Sequence, residues 1–545
     1  MQLSYSHGIT SVPLLGDTIG ENLRRTVQRF GDREALVSRH QNYRATYQQL
    51  WEETGLIGRG LLARGVKKGD RVGLWAPNRY EWVVTQYATA RVGAIMVNIN
   101  PAYRSHELEH VLRQSGCSLL IMARRFRHTD YVAMFQEVEE RLPAHIQALI
   151  IDDEWGTLKD DARQVSEEDL AIREQSLDAD DPIDIQYTSG TTGFPKGATL
   201  SHHNILNNGY FVGRTLAYSE KDRICIAVPL YHCFGQVMGN LAATSHGACM
   251  IFPGEGFEAG AVLATVQEER CTSLYGVPTM FIAELEHPDF PKTDFATLRT
   301  GIMAGSPCPV EVMKRVQKDM HMAEITICYG MTETSPVSTQ SKVDDPLDKR
   351  VATVGCVHPN LEVKIVEPSS GHVVPRGQVG ELCTRGYSVM LGYWDDLHST
   401  RQAIDNARWM HTGDLATMDS DGYVNIVGRI KDMVMRGGEN IYPREVEEFL
   451  YTKREIADVQ VIGVPDAKYG EELMAWIKLR PGASVTGDEL RAFCKGKIAT
   501  YKIPRYWKFV DAFPMTVTGK IQKYKMREMA VQELKLQIAA AIKTA

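Results

Sequence analysis

The stretch from Tyr187 to Gly197, YTSGTTGFPKG, decides the fold of this chain. Two internal glycines let the backbone approach an anion closely, four hydroxyls add hydrogen-bond donors, and Lys196 supplies a positive charge. Residues 183–187 alternate apolar and polar side chains, which predicts a strand. The loop therefore leaves the end of a strand, where open α/β sheets bind ligands, and a polyphosphate is the expected ligand.

This stretch differs from the common phosphate loop of nucleotide hydrolases, in which Gly-Lys-Ser/Thr opens a helix. Lys196 follows Pro195 and precedes Gly197-Ala198-Thr199, a poor start for a helix. Composition alone also fits a polar surface loop.

Composition limits the classes of function. The 545 residues are 43% hydrophobic and 24% charged, with a formal net charge of −7, which argues against a broad nucleic-acid surface. Ten cysteines show no metal-ligand spacing and are expected as buried reduced thiols. The N-terminus does not resemble a secretory signal, and no apolar run predicts a transmembrane segment. We expect a cytoplasmic protein.

The first half of the chain alternates predicted helices and strands. Capping-box spacings at Thr18/Glu21 and Thr46/Gln49 indicate two helix starts. This alternation predicts parallel sheets with helices on both faces. The predicted strands there are 71–75, 94–98 and 118–122.

The pattern of predicted secondary structure changes twice further along the chain. Short strands at 362–366 and 380–384, separated by turn residues, predict a small barrel-like unit. A new segment follows residues 429–432, with a helix at 444–451 and strands at 459–464 and 474–479. We predict domains 1–428 and 432–545 with a hinge at 429–432, and a C-terminal helix bearing an apolar stripe from Met526 to Ile542.

Seven further segments fall in one order along nearly the whole chain: PLYHCFG (229–235), MAGSP (303–307), YGMTETSP (329–336), GELCTRGYSVMLGYW (380–394), WMHTGDLA (409–416), GRIKDMVMRGGENIYP (428–443) and PMTVTGKIQK (514–523). With the opening stretch, they resemble the adenylate-forming (AMP-binding) enzymes, and most closely the medium-chain fatty-acid acyl-CoA synthetases. The resemblance implies a large N-terminal α/β domain of two doubly wound sheets plus the barrel-like unit. It also implies a small, mobile α+β C-terminal domain.

The resemblance implies an ATP site. Tyr329 would stack on adenine beside Gly305 and Ser306, Thr332 would donate to the α-phosphate, and Glu333 would hold Mg²⁺. Asp414 would bind the ribose hydroxyls, with Arg429 near the ribose or phosphates. The full implied set for ATP or AMP is Thr188, Ser189, Gly190, Thr191, Thr192, Gly193, Lys196, Gly305, Ser306, Tyr329, Gly330, Thr332, Asp414, Arg429 and Lys520.

The implied catalytic residues are Lys520, Thr332, Glu333 and His232. Lys520 would stabilise the transition state in which a carboxylate attacks the α-phosphorus, because both reactants are anionic. His232 would lie at the mouth of the acyl pocket. For CoA, Arg436, Gly437 and Gly438 would border the pantetheine arm, and Lys431 matches the hinge. Candidates for the CoA 3′-phosphate are Arg436, Lys495 and Lys497.

Taken singly, several of these residues also fit structural roles. Tyr329 and His232 could be core residues, the Thr332-Glu333 pair a helix cap, Asp414 a turn residue and Arg429 a surface arginine.

The predicted function is ATP-dependent synthesis of acyl-CoA from a fatty acid through acyl-AMP, with ATP, Mg²⁺ and CoA as cofactors and co-substrates. An aryl- or short-chain acid CoA ligase shares every ATP motif, and so does a ligase that loads a separate carrier protein. The absence of a downstream carrier domain weighs against a peptide-synthetase module. A luciferase-like oxygenase and a non-catalytic nucleotide-binding protein are further alternatives. The expected partners are small molecules, and the oligomeric state is open, with a homodimer among the alternatives.

Overall fold

The computed structural model describes residues 2–188, 195–306, 308–436, 439–466, 468–515 and 521–536. Backbone contacts divide the chain into two units. The large unit comprises Tyr5–Val363 and Cys383–His411, and the small unit comprises Met1–Ser4, Lys364–Leu382 and Thr412–Ala545. The hinge predicted at 429–432 stays a prediction.

The strand before the phosphate loop lies inside a sheet of the large unit. Counting described residues only, this sheet has seven strands, in the order Gly392–Tyr393, Lys196–Ser201, Pro182–Thr188, Ile95–Asn98, Arg71–Trp75, Cys117–Met122 and Gln147–Ile150. The last five are parallel, and Lys196–Ser201 runs antiparallel to both of its neighbours. The strands predicted at 71–75, 94–98 and 118–122 are confirmed within one residue.

A second sheet of the large unit has nine strands in the described ranges. Their order is Cys356–Val357, Val337–Gln340, Glu324–Gly330, Thr300–Met303, Ser273–Gly276, Arg223–Ile226, Cys249–Phe252, Glu34–Ser38 and Tyr43–Thr46. The six central strands are parallel. Their carboxyl ends therefore share one edge, which is where α/β sheets bind ligands.

Helices link these strands and supply the apolar faces that pack on them. Thr18 and Thr46 each accept from the backbone N–H three residues on, and Glu21 and Gln49 complete the two predicted capping boxes. The α-helices are Ile19–Phe30, Tyr47–Ala63, Tyr80–Val92, Ser105–Ser115, Tyr131–Glu139, Ile151–Asp161, Glu167–Gln175, His202–Thr215, Ala242–His246, Ala259–Glu268, Pro278–Leu285, Val310–Asp319, Leu347–Ala352 and Leu397–Ala403, with a π-helix at Phe234–Leu241. A continuous apolar core containing Trp75, Trp82 and Tyr87 connects the layers.

Short strands form a further sheet: Tyr5–His7, Leu361–Val366, Gly380–Gly386, Met410–Met418 and Val424–Arg429. They include the two predicted at 362–366 and 380–384.

The C-terminal part of the small unit is α+β. Its strands are Val434–Arg436, Glu439–Ile441, Ile456–Asp466, Gly470–Leu479 and Tyr506–Phe509, and its helices are Pro443–Tyr451, Gly487–Cys494 and Lys523–Glu533. The predicted long C-terminal helix is wrong in extent, because it ends at Glu533 and Lys535 has a left-handed backbone with φ of 54°. Met526 and Ala530 of the stripe are buried, and Ile542 lies outside the described residues. The predicted mixed α/β fold with doubly wound sheets and a smaller α+β region is confirmed.

None of the helices in the described ranges is long and apolar enough to cross a membrane.

Candidate active site

The two strands that flank the predicted phosphate loop form an antiparallel pair in the large unit. Thr188 ends the first strand and Lys196 begins the second, and the two residues lie opposite each other. The Thr188 hydroxyl donates to the Lys196 carbonyl over 3.4 Å. Lys196 thus opens a strand rather than a helix, as its context predicts. Five predicted phosphate ligands lie outside the described residues: Ser189, Gly190, Thr191, Thr192 and Gly193.

Lys196 belongs to a chain of contacts that ends on the predicted metal ligand. Its ammonium lies 5.3 Å from the centre of the Tyr393 ring, within reach of a cation–π interaction. The Tyr393 hydroxyl donates to Glu333 Oε1 over 2.8 Å. Burial, the nearby Glu333 charge and this hydrogen bond together raise the pKa of Tyr393 above its ordinary value. Tyr393 is therefore a neutral donor that orients the carboxylate.

Glu333 and Thr332 lie in a single 3₁₀ turn, Thr332–Thr334, that follows the strand Glu324–Gly330. Both are buried, with 8% of Thr332 and 5% of Glu333 exposed. A buried carboxylate is stable only where donors satisfy it, and Tyr393 provides one. Thr332 and Glu333 are the first two residues of this short 3₁₀ helix, whose N-cap is Met331.

Neighbouring segments hold the residues that follow this turn by hydrogen bonds. The Asn208 amide brackets Val337, donating to its carbonyl over 2.9 Å and accepting from its N–H over 3.0 Å. The Ser335 hydroxyl donates to the Ser388 carbonyl over 2.6 Å. A Cβ on Gly330 would lie 1.6 Å from the Pro336 carbonyl oxygen, so this position admits only glycine.

The donor set of the turn suits Mg²⁺. The Glu333 carboxylate is a hard oxygen donor, and Mg²⁺ is typically bound by one or two carboxylates together with phosphate oxygens and water. Tyr393 supplies the outer hydrogen bond that commonly orients a ligating carboxylate.

The predicted adenine-binding residues follow neighbouring parallel strands of the nine-stranded sheet. Tyr329 is half-buried near the end of Glu324–Gly330, and Gly305 and Ser306 follow Thr300–Met303. The two strands are paired up to Met303 and Ile327, so these residues emerge at the same edge. Gly305 has φ of 91°, a left-handed conformation that glycine adopts without strain.

His232 is joined to the Thr332 turn through its neighbour Cys233. Its Nδ1 accepts from the Phe234 N–H over 3.1 Å, so the neutral imidazole carries its proton on Nε2. Cys233 Sγ lies 3.8 Å from His232 Nδ1 and 3.8 Å from Thr332 Oγ1. The fold thereby joins two predicted catalytic residues that are 100 positions apart in sequence.

Asp414 and Arg429 form an ion pair within the small unit. They lie directly opposite each other on Met410–Met418 and Val424–Arg429, and Arg429 Nε donates to Asp414 Oδ1 over 3.1 Å. The Asp414 side chain is 14% exposed and that of Arg429 is 51% exposed. Asp414 therefore lies in a strand, and the turn alternative is wrong.

Two further predicted residues, Lys431 and Arg436, are described in the small unit. Lys431 is exposed in the turn Ile430–Asp432, where partial desolvation and then Arg429 lower its pKa. Arg436 pairs with the buried Glu472 over 2.7 Å and stacks 4.3 Å from the centre of the Tyr469 ring. Gly437, Gly438 and Lys520 lie outside the described residues.

Sequence reasoning missed Tyr393, which is a central residue of the large-unit site. It stands in the GELCTRGYSVMLGYW segment, but nothing in that spacing pairs it with Glu333. Sequence reasoning also placed Asp184 and Gln186 on the polar side of an alternating strand, yet both are buried, with 1% and 3% exposed.

Comparisons with known proteins agree with this arrangement. A family model described as AMP-binding enzyme matches residues 23–394, and one described as AMP-binding enzyme C-terminal domain matches residues 445–520. YngI of Bacillus subtilis (strain 168) is 50% identical over 543 residues, covering 96% of this chain and 99% of YngI. The mitochondrial medium-chain acyl-CoA ligase ACSF2 of Danio rerio is 45% identical over 554 residues, covering 98% of this chain and 91% of that protein.

Solved structures share the fold. The anthranilate CoA ligase AuaEII in complex with anthranoyl-AMP superposes with a TM-score of 0.85 at 27% identity, covering 96% of this chain and 99% of that one. ATP-bound MatB from Rhodopseudomonas palustris gives a TM-score of 0.84 at 29% identity, covering 94% of this chain and 99% of that one. The chain belongs to the AMP-binding enzyme family, among its AMP-forming acyl-CoA ligases. The predicted family, the enzyme class and its use of ATP, Mg²⁺ and CoA are confirmed.

Proposed function

We propose that this protein converts a medium-chain fatty acid to its CoA thioester in two steps. In the first, a carboxylate oxygen attacks the α-phosphorus of ATP and the bond to the β-phosphate oxygen breaks, giving acyl-AMP and pyrophosphate. In the second, the CoA sulfur attacks the acyl carbon and AMP leaves with the bridging oxygen, while the thiol proton passes to solvent.

The observation that carries this proposal is the contact between the His232 turn and the Thr332–Thr334 turn. The first offers an imidazole N–H to an acid, and the second offers a hydroxyl and a carboxylate suited to MgATP. Because Cys233 Sγ is 3.8 Å from both His232 Nδ1 and Thr332 Oγ1, a carboxylate and an α-phosphate bound at these turns would be neighbours.

Charge repulsion is the main barrier that the site must reduce, since a carboxylate attacks a polyanion. Lys196 places a cation at the base of the phosphate loop, beside Tyr393, whose hydroxyl donates to Glu333. Mg²⁺ held at Glu333 would neutralise part of the charge on the phosphates. The Thr332 hydroxyl would donate to an α-phosphate oxygen, where negative charge is retained during displacement.

His232 would orient the acid. Its Nδ1 is occupied by the Phe234 N–H, so Nε2–H is the donor for an incoming carboxylate oxygen. The apolar residues Phe234, Val237 and Met238 follow in the π-helix and are buried. They suit a hydrophobic acyl chain beyond the carboxylate.

The small unit would supply the ribose, hinge and CoA functions. Asp414 would accept from the ribose hydroxyls, with Arg429 holding its carboxylate in place. Lys431 would be the hinge, and Arg436 with Gly437 and Gly438 would border the pantetheine arm.

Lys520 would act in adenylation only, which a comparison of the two half-reactions tests. Lys520→Ala should slow acyl-AMP formation by about 100–1000-fold, the usual cost of a lost electrostatic donor. The same variant supplied with preformed acyl-adenylate and CoA should make thioester at close to the wild-type rate. An equal loss in both half-reactions would contradict this division of labour.

The proposed chain length of the fatty acid is inferred from the names of similar proteins. ACSF2 of several vertebrates is named a medium-chain acyl-CoA ligase and is 42–45% identical to this chain. AuaEII, an anthranilate CoA ligase, has the same fold, so an aryl acid is the second candidate. A panel from acetate to palmitate with benzoate and anthranilate, scored by acid-dependent AMP release with CoA, should peak at six to twelve carbons, on the order of a medium chain. A maximum at acetate or benzoate would reassign the substrate.

A homodimer also remains part of this proposal. Light scattering of the purified protein would measure its mass directly.

A further inference from the structure

A buried cluster of one carboxyl group and three amides lies behind the His232 turn. Asp184 is 1% exposed, Gln186 3%, Asn98 2% and Gln236 0%. Gln186 and Gln236 each donate their Nε2 to Asp184 Oδ2, over 2.9 and 2.8 Å. Asn98 donates its Nδ2 to Oδ1 over 2.5 Å. The described part of the large unit thus directs three side-chain donors at one carboxyl group.

Burying a carboxyl group and three amides costs more free energy than filling the same space with apolar side chains. Burial raises the pKa of Asp184 to about 7, and the hydrogen bonds from Gln186, Gln236 and Asn98 act against that rise. Above that pH the group is a carboxylate, which accepts hydrogen bonds and donates none. It therefore fixes the orientation of all three amides, with each NH₂ group toward Asp184 and each carbonyl away from it.

The fixed orientation of Gln186 reaches the proposed active site. Its Oε1 accepts from the Cys233 backbone N–H over 3.1 Å. Cys233 lies between His232 and Phe234, whose N–H in turn sets the tautomer of the imidazole. Gln186 also lies two residues before Thr188, at the end of the phosphate-loop strand.

Gln236 connects the cluster to a second element near the proposed active site, the π-helix. It lies in the first turn of the π-helix Phe234–Leu241, which begins at the end of the His232 turn. Irregular helical turns of this kind are frequent at functional sites because they redirect a short segment of backbone. The Asp184 carboxylate therefore connects three separate elements: the phosphate-loop strand, the His232 turn and the π-helix.

We propose that Asp184 is a positioning residue that, through Gln186 and Gln236, sets the direction in which His232 presents its N–H to the acid carboxylate. The proposal rests on the function proposed above. The cluster touches no reacting atom. It acts by holding the acid in line with the α-phosphorus, and this predicts an effect on acid binding and reactivity that exceeds its effect on ATP binding.

Two substitutions separate this role from bulk stability. Asp184→Ala removes the common acceptor, and Gln186→Met removes the acceptor of the Cys233 N–H while leaving the pair between Asp184 and Gln236. Asp184→Asn is the conservative variant. It can present one oxygen to both glutamines. Once the Asn98 amide turns over, the new NH₂ group can donate to Asn98 Oδ1, a buried atom with no hydrogen-bond partner in the described residues.

A matched control lies in the same unit. Asn207 is fully buried and brackets Leu15, accepting from its N–H over 2.7 Å and donating to its carbonyl over 3.0 Å. Asn207→Ala removes a buried amide network of similar size, away from the His232 turn. It should lower thermal stability and leave the ratio of KM for acid to KM for ATP unchanged.

The experiment is acid-dependent ATP–pyrophosphate exchange at about pH 8, with KM measured separately for octanoate and ATP. Asp184→Ala and Gln186→Met should lower kcat/KM for octanoate by about 10–100-fold, the usual cost of losing an outer orienting contact. KM for ATP should stay within about threefold, and Asp184→Asn should recover most of the activity.

Equal losses toward acid and ATP, or losses that match Asn207→Ala at equal stability, would overturn the positioning role. If Asp184→Ala does not fold, Gln186→Met decides alone. Absence of exchange in the wild-type protein with every acid tested would instead refute the proposed function, so the two failures are distinguishable.

Discussion

Replacement of Tyr393 by Phe removes one hydroxyl from the proposed magnesium site and leaves the ring in place. The ring contact with Lys196 at 5.3 Å should persist, because the change spares the aromatic face. What is lost is the 2.8 Å hydrogen bond to Glu333 Oε1. Glu333 is 5% exposed, so water replaces the missing donor poorly.

The magnitude follows from the charge of the acceptor. A hydrogen bond to a charged group contributes about 1.5–3 kcal/mol, and about 1.4 kcal/mol corresponds to a tenfold change. Tyr393→Phe should therefore raise the Mg²⁺ concentration for half-maximal activity by about 10–100-fold, in line with other losses of an orienting contact to a metal ligand. The maximal rate at saturating Mg²⁺ should fall less.

The assay is acid-dependent pyrophosphate release at fixed ATP across a titration of Mg²⁺. Tyr43→Phe is the matched control, since the Tyr43 hydroxyl donates to Glu53 Oε2 over 2.6 Å in a comparably half-buried setting outside the proposed site. A Mg²⁺ titration of Tyr393→Phe that coincides with that of Tyr43→Phe would refute the reasoning.

Three further changes have predicted outcomes. Burial lowers the pKa of His202 to about 4, from 6.5 in the unfolded chain. Between these two pH values the unfolded chain binds a proton that the folded chain does not, so the free energy of unfolding falls as the pH falls. From pH 7 to pH 5 the free energy of unfolding should fall by about 2 kcal/mol. His202→Asn should abolish this pH dependence, as measured by urea unfolding. Asn208→Ala leaves both Val337 backbone groups unpaired and should cost about 2–4 kcal/mol in the same assay. Arg429→Ala breaks an ion pair that is half-exposed on the arginine side, so it should change stability by less than about 1 kcal/mol while raising KM for ATP.

Local features of the fold could be predicted from sequence because short-range patterns determine them. The strand Arg71–Trp75 and the capping boxes at Thr18 and Thr46 are confirmed, and each depends on residues within a few positions. The strand before the phosphate loop was also predicted. Its polar residues were not placed correctly, because alternation indicates one exposed face and this strand lies inside the sheet.

Contacts between distant segments could not be predicted from the pattern. Tyr393 meets Glu333 across 60 positions because Gly392–Tyr393 pairs with Lys196–Ser201 at the edge of the sheet. The sequence contains no local sign of that pairing. The resemblance to a family named Glu333 but not the tyrosine that orients it, since only a folded chain shows which donor meets a buried carboxylate.

The C-terminal helix shows a second limit. Its apolar stripe continues past residue 533, but the helix ends there and Lys535 adopts a left-handed backbone. Periodicity predicts which face a helix buries, not the residue where the tertiary contacts stop supporting it.

Exchange of labelled pyrophosphate into ATP tests the central claim most directly. The account predicts exchange that requires both a fatty acid such as octanoate and Mg²⁺, proceeds without CoA, and gives way to AMP and octanoyl-CoA once CoA is added. Exchange that is absent with every carboxylic acid, or that starts only when CoA is present, would contradict it.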